Sequence, residues 1–318
     1  MLFRKTFLAP ALVSLSLAAC GQTATPVEPS TGSLSLSAAR APKAAADNPI
    51  DRINARLAAE GAPIRFAHAQ YVTGGPSARA AGQTIFATDR ELRLPSRWVP
   101  FDPVRERDET LSYVVFQQLA AANGSIDSEP EIDAALATWE DVTCSKLDIV
   151  KLPDSGAFPS AVLGGDFFVA DIVNLGFLPG VFFDTFVEPG AAQNTLGVTF
   201  TAIWVDTQGT QDPADDVPTD FDGNGYNDTA LAEVWYNDDF EWSDTGAPGL
   251  EDIQTVAFHE NGHGLGLGHF GRVSITDRNG KVHVSPRAAM NAFILSVLRR
   301  PLGTDNAAYC GLYGSWPD

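Results

Sequence analysis

The chain has 318 residues, with 21 Lys and Arg against 40 Asp and Glu, a formal net charge of -19 and a pI near 4.5. That length can bury a substantial core, and 44% hydrophobic with 19% charged residues exclude a wholly disordered or collagen-like chain. So acidic a balance excludes a general electrostatic attraction to nucleic acid or anionic lipid and makes a cation such as calcium the better charged partner.

Arg4 and Lys5, the apolar run from Phe7 to Leu17 and the small pair Ala18-Ala19 read as a secretory signal over residues 1–19. The run is short for a membrane span. Leu17-Ala18-Ala19-Cys20 resembles the bacterial lipobox. The resemblance implies cleavage before Cys20, acylation of its thiol, and a lipid-anchored protein exported to the bacterial cell envelope, at the outer membrane or cell surface. Residues 20–48, rich in Ala, Ser, Thr and Pro, then read as a flexible tether. With Cys20 set aside, Cys144 and Cys310 are either a disulfide formed in an oxidising compartment or two buried thiols.

Residues 49–108 carry a short amphipathic helix at Ile50 to Leu57, then strand-like pieces punctuated by Gly74-Gly75-Pro76 and Pro95. Their role is open, a pro-segment being one reading. Residues 109–318 are sharper. Leu111 to Gln117 reads as a strand, and Glu129 to Glu140 as a helix with Ile132, Ala135 and Trp139 at helical spacing. Strands follow at Leu147 to Leu152, Ala170 to Phe177, Leu196 to Val205 and Ala230 to Tyr236, then a helix from about Leu250. This order predicts an α+β fold, a mixed sheet with helices packed against it.

The decisive segment is His259-Glu260-Asn261-Gly262-His263, followed by Gly266 and His269. On a helix, His259 and His263 project from one face at the separation two imidazoles need to grip one ion. Glu260, beside the first ligand, can reach water at the metal without taking a coordination position. Gly266 suits the point where the helix ends and the chain turns back, bringing His269 in as a third ligand. Three imidazoles and one open position make the catalytic kind of zinc centre.

This extended pattern resembles the metzincin zinc peptidases. Ala288-Ala289-Met290-Asn291 resembles their methionine turn, a structural element beneath the zinc. Glu131 to Val142 resembles the first helix of matrixins, and Leu302-Gly303-Thr304-Asp305 with Leu312-Tyr313-Gly314 the last, so the likeness covers residues 109–318. Phe270 after the third His, and Asn291 in place of the usual Tyr, point to a bacterial matrixin-like branch. Trp235 stands where a structural-zinc His is expected, which predicts one zinc rather than two. The resemblance implies a twisted, mostly parallel mixed sheet and long helices, one of them carrying the zinc ligands.

Asp220, Asp222, Asn224 and Asp228 with Gly225 resemble the first nine positions of a calcium loop, but Leu231 occupies the twelfth. Glu233 or a remote carboxylate could close the shell; a solvated acidic turn is the alternative. The expected function is a zinc-dependent endopeptidase, monomeric, acting on protein or peptide substrates with Glu260 as general base. Its substrate would add as a strand to an exposed sheet edge, for which Leu196 to Val205 is the candidate. Phe293, Ile294 and Leu295 would line the pocket beyond the cut, or pack in the core. A non-catalytic zinc-containing surface lipoprotein for binding or adhesion is the competing function, and a hydrolase of non-peptide substrates a third.

Overall fold

The computed structural model describes residues 48–317, except 76–77, 106–107 and 277. The signal, Cys20 and the tether up to residue 47 lie outside the described residues. Asn48 starts the fold: its side chain accepts the Ile50 N–H, and Pro49 sets the first turn of α1 (Pro49–Ala59). Then come β1 (Ile64–Thr73), β2 (Thr84–Phe86), β3 (Ser96–Arg97), β4 (Leu111–Val115), β5 (Ala121–Ala122) and β6 (Ile126–Asp127). They lead into α2 (Glu129–Glu140), β7 (Ile149–Lys151), β8 (Ile172–Leu178), α3 (Gly180–Phe186), β9 (Thr195–Asp206), β10 (Val217–Pro218) and β11 (Asn227–Asn237). The last part holds β12 (Trp242–Ser243), β13 (Glu251–Asp252), α4 (Ile253–Gly264), β14 (Arg272–Thr276), β15 (Lys281–Ser285) and α5 (Gly303–Tyr313).

The main sheet runs β2-β1-β9-β11-β8-β4-β7. From β2 to β11 each neighbour is antiparallel, and from β11 to β7 each is parallel. The fold is therefore α+β with a mixed sheet. β11 is buried throughout and β9 at all but its last residue, as expected when both faces of a sheet are covered. Alternation along β11 divides two cores. Leu231 and Trp235 face one with α1, β1 and α3, and Ala232, Val234 and Tyr236 face the other with α2, α4 and α5.

The expected open edge at Leu196 to Val205 is not one. β9 pairs with β11 on one side and, from Thr195 to Trp204, with β1 on the other. Residues 49–108 thus contribute strands to the same sheet as residues 109–318. Period-2 patterning marked β9 as a strand but could not reveal that the partner on its second side lies some 130 residues upstream. Cys144 and Cys310 form a disulfide that ties the end of α2 to α5, with Cα atoms 5.8 Å apart.

Candidate metal centre

α4 begins where Asp252 caps it, accepting the Thr255 N–H at 3.0 Å. Arg299 secures that carboxylate, with its Nη2 2.5 Å from Asp252 Oδ1. The far end leaves carbonyls without helical partners. Trp98 Nε1–H donates to the Gly264 carbonyl at 2.8 Å and Tyr313 O–H to Leu265 at 2.6 Å. Gly266 turns the chain at φ +85°, as its type predicted, and its N–H donates back to His263 O at 2.8 Å. The turn delivers His269.

The three Nε2 atoms converge: His259 to His263 3.0 Å, His263 to His269 3.2 Å, and His259 to His269 3.3 Å. His259 Nδ1 lies 2.7 Å from the Ala289 carbonyl and His263 Nδ1 2.7 Å from that of Leu267. A carbonyl only accepts, so both Nδ1 atoms carry the proton and both Nε2 atoms present lone pairs to one another. Two acceptors that close repel unless a cation lies between them. A tetrahedral zinc with bonds of about 2.0–2.1 Å needs nitrogens roughly 3.3 Å apart. The donor set therefore fits a metal ion. Burial pushes the imidazoles towards neutrality: His259 to about 4, His269 to about 3 with help from the neighbouring His259, and His263 well below its ordinary value.

Glu260 is fully buried. Thr199 O–H donates to its Oε2 at 2.6 Å, while Oε1 meets no donor at hydrogen-bond geometry among the described residues. Burial raises its pKa to about 8, against the opposing pull of the Thr199 hydroxyl and the Val72 N–H. Gly197 on β9 makes room for it: a Cβ there would stand 2.8 Å from Glu260 Cγ. Gly197, Thr199 and Val72 carry no signal of their own in the sequence, because a cross-strand approach leaves no local pattern.

The turn at Met290 lies against the same helix. A Cβ on Gly262 would meet Met290 Sδ at 2.5 Å. Asp305, at the start of α5, accepts N–H bonds from Ala289 at 2.8 Å and Met290 at 3.1 Å and so fixes the turn. A buried amide pair joins α4 to β8: Asn174 Nδ2 donates to Asn261 Oδ1 at 3.0 Å and Asn261 Nδ2 to Asn174 Oδ1 at 3.1 Å, with Tyr236 O–H donating to the latter oxygen at 2.8 Å. Asn261 lies between His259 and His263, and the motif alone assigns it nothing.

Elsewhere, Asp220, Asp222 and Asp228 bring carboxylate oxygens within 4.8 Å of one another. Asp220 accepts the Asn224 and Gly225 N–H groups at 3.0 and 2.9 Å, and Asp228 that of Phe221 at 2.8 Å. Glu233 does not close this loop. It is buried on the sheet face away from α4, accepting from Ser160 Oγ at 2.9 Å and from the Ala161 and Val162 amides. Trp235 is core, beside Phe158 and Phe182. Phe293, Ile294 and Leu295 line a cleft of about 820 Å³ that also includes Gly75, Leu250, Glu251 and Val297. No protein-family description matches the sequence, and no curated protein matches it.

Proposed function

We propose that the chain is a zinc-dependent endopeptidase of the metzincin type, close to the bacterial matrixins, exported and held at the cell envelope through Cys20 as a monomer. The observation that carries this reading is the convergence of three imidazole Nε2 atoms beside a buried carboxylate, one of whose oxygens makes no hydrogen bond among the described residues. His259, His263 and His269 would hold the ion as neutral ligands, oriented by the Ala289 and Leu267 carbonyls. Zinc bound there would supply Lewis-acid polarisation of a carbonyl and a lowered pKa for water. Glu260 takes the proton from the attacking water at Oε1 and passes it to the leaving amine, while Thr199 holds Oε2 and thereby the carboxylate's orientation. Calcium is proposed for the Asp220, Asp222 and Asp228 loop, with Asn224 as a neutral oxygen donor.

The test is zinc content and casein cleavage for a soluble chain beginning at Gly21, beside its Glu260→Ala counterpart. One zinc per chain in both, cleavage in the first and none in the second is expected. His269→Ala should lose the zinc. Equal cleavage with and without Glu260 would overturn the assignment of the base. One zinc with no cleavage, even after the strand opening described next, would leave the competing reading of a non-catalytic binding lipoprotein.

A further inference from the structure

β9 packs on α4 through Gly197 and Thr199, the segment after Met290 follows the turn whose Ala289 carbonyl meets His259, and one stretch of the chain bonds to both. β1 runs antiparallel to β9 from Ile64 opposite Trp204 to Thr73 opposite Thr195. Val72 stands opposite Gly197, the residue against which Glu260 packs. Leaving β1, Thr73 bridges in parallel to Phe293, and its carbonyl accepts the Ile294 N–H at 2.9 Å. Further along, the Gly82 N–H donates to the Ala292 carbonyl at 2.7 Å. His259, His263 and Glu260 have no exposed surface. That stretch thus takes up main-chain bonding positions of both β9 and the segment after Met290, the positions an added extended peptide would need.

Resting on the peptidase reading above, we infer that β1 is an internal occupant of the substrate groove and that an extended polypeptide reaches the site only when β1 leaves β9. Strand addition is read largely through main-chain bonds, so an occupant from the same chain competes with any substrate at high effective concentration. Its anchors involve none of the three histidines. Asn54 on α1 grips β1 at both backbone groups of Phe66, donating to its carbonyl at 2.9 Å and accepting its N–H at 2.7 Å. Arg65 is paired with Asp216 at 2.6 Å in the interior, and Tyr71 O–H donates to Glu188 Oε1 at 2.7 Å. β1 can therefore be loosened by substitutions that leave His259, His263, His269 and Glu260 themselves unchanged.

The experiment uses the zinc-loaded full chain, Tyr71→Phe and Asn54→Ala, with a urea series on the first held below the point where α4 amides lose protection. Three rates are measured: hydrogen exchange of the β1 amides, removal of zinc by EDTA, and cleavage of casein. Tyr71→Phe should speed β1 exchange about tenfold, the effect of one lost hydrogen bond, and Asn54→Ala more. EDTA extraction and cleavage should rise in proportion to that exchange across all samples. Should Asn54→Ala fail to fold, Tyr71→Phe and the urea series still define the slope. A flat slope, with zinc equally extractable and casein cut equally fast whether β1 is closed or open, overturns the inference. Extraction that follows β1 exchange without any cleavage upholds the occlusion and overturns the peptidase reading.

Discussion

Asn291 Nδ2 donates to the Phe270 carbonyl at 2.8 Å, and Phe270 N–H donates to the Met290 carbonyl at 2.7 Å. Both positions depart from the animal matrixin pattern, and in the structure Asn291 bonds to Phe270 while Phe270 bonds to the residue before Asn291. Asn291 also accepts the Ala288 N–H at 2.8 Å, closing its own turn. The pair fixes the residue directly after His269, so it sets where the third imidazole points. Asn291→Ala should weaken zinc binding by about 10- to 100-fold, the usual effect of removing a group that orients a ligand. A competition titration against a chromogenic chelator measures it, and an unchanged affinity would show that His269 is positioned by Gly266 and Gly268 alone.

Gly262 faces Met290 with no room for a methyl group, since a Cβ would also stand 3.0 Å from Trp139. The helix is tightly held there: Trp139 stacks on Phe258 at 4.3 Å and donates its N–H to that residue's carbonyl at 2.8 Å. Gly262→Ala should therefore destabilise the chain by about 1–3 kcal/mol through overpacking, although alanine favours a helix more than glycine does. Met290→Leu, which keeps the volume, should cost less than about 1.5 kcal/mol. Urea midpoints for the two variants decide the order, and a stabilised Gly262→Ala would mean that the turn can yield.

The histidine cluster was readable because it is local. His259, His263, Gly266 and His269 lie within eleven residues, and helical periodicity followed by one glycine turn gives their arrangement directly. The helices at 49–59 and 129–140 and the long strands β9 and β11 were equally legible from apolar spacing. What escaped was contact between distant segments. Nothing local to Ile64–Thr73 says that it will lie beside Thr195–Trp204, and Glu233 looked available to a nearby acidic loop until strand alternation turned it to the opposite face. Asp305 and Asn174 escaped for the same reason: each acts on the centre through backbone or amide groups of another element.

The loop at Asp220, Asp222 and Asp228 gives a direct calcium test. Burial raises the Asp228 pKa, and the neighbouring Asp222 and Asp220 charges add to that rise, so a bound divalent cation would relieve both repulsion and protonation. Calcium at about 100 times its dissociation constant would add roughly 2.7 kcal/mol, a rise in Tm of several degrees for a chain this size. Asp222→Asn should remove most of the rise. No shift in the zinc-loaded chain at millimolar calcium would identify the loop as a solvated acidic turn.

The chelator-treated chain should be most stable in mildly acid solution. Burial lowers His68 and His259 to about 4, and burial with the neighbouring His259 lowers His269 to about 3, from an ordinary 6.5. The unfolded chain therefore takes up protons that the folded chain refuses as pH falls below about 6.5, and stability is lost from there towards 4. Burial acts oppositely on the carboxyls, raising Glu233 to about 7 and Glu260 to about 8 from 4.5. The folded chain holds protons that the unfolded chain releases above about 4.5, so stability falls as pH rises through 7 and 8. The two trends oppose each other between about 4.5 and 6.5, which places the maximum in that window. Zinc should change the profile unequally. Its charge favours ionised Glu260, flattening the alkaline side, whereas protons compete for the imidazoles on the acid side. The Tm gain on adding zinc should accordingly be larger at pH 8 than at pH 5. Thermal melts at pH 4, 5.5 and 8 with and without zinc measure this, and a chelated chain whose Tm climbs steadily from pH 4 to 8 would show that Glu260 and Glu233 are ionised in the fold.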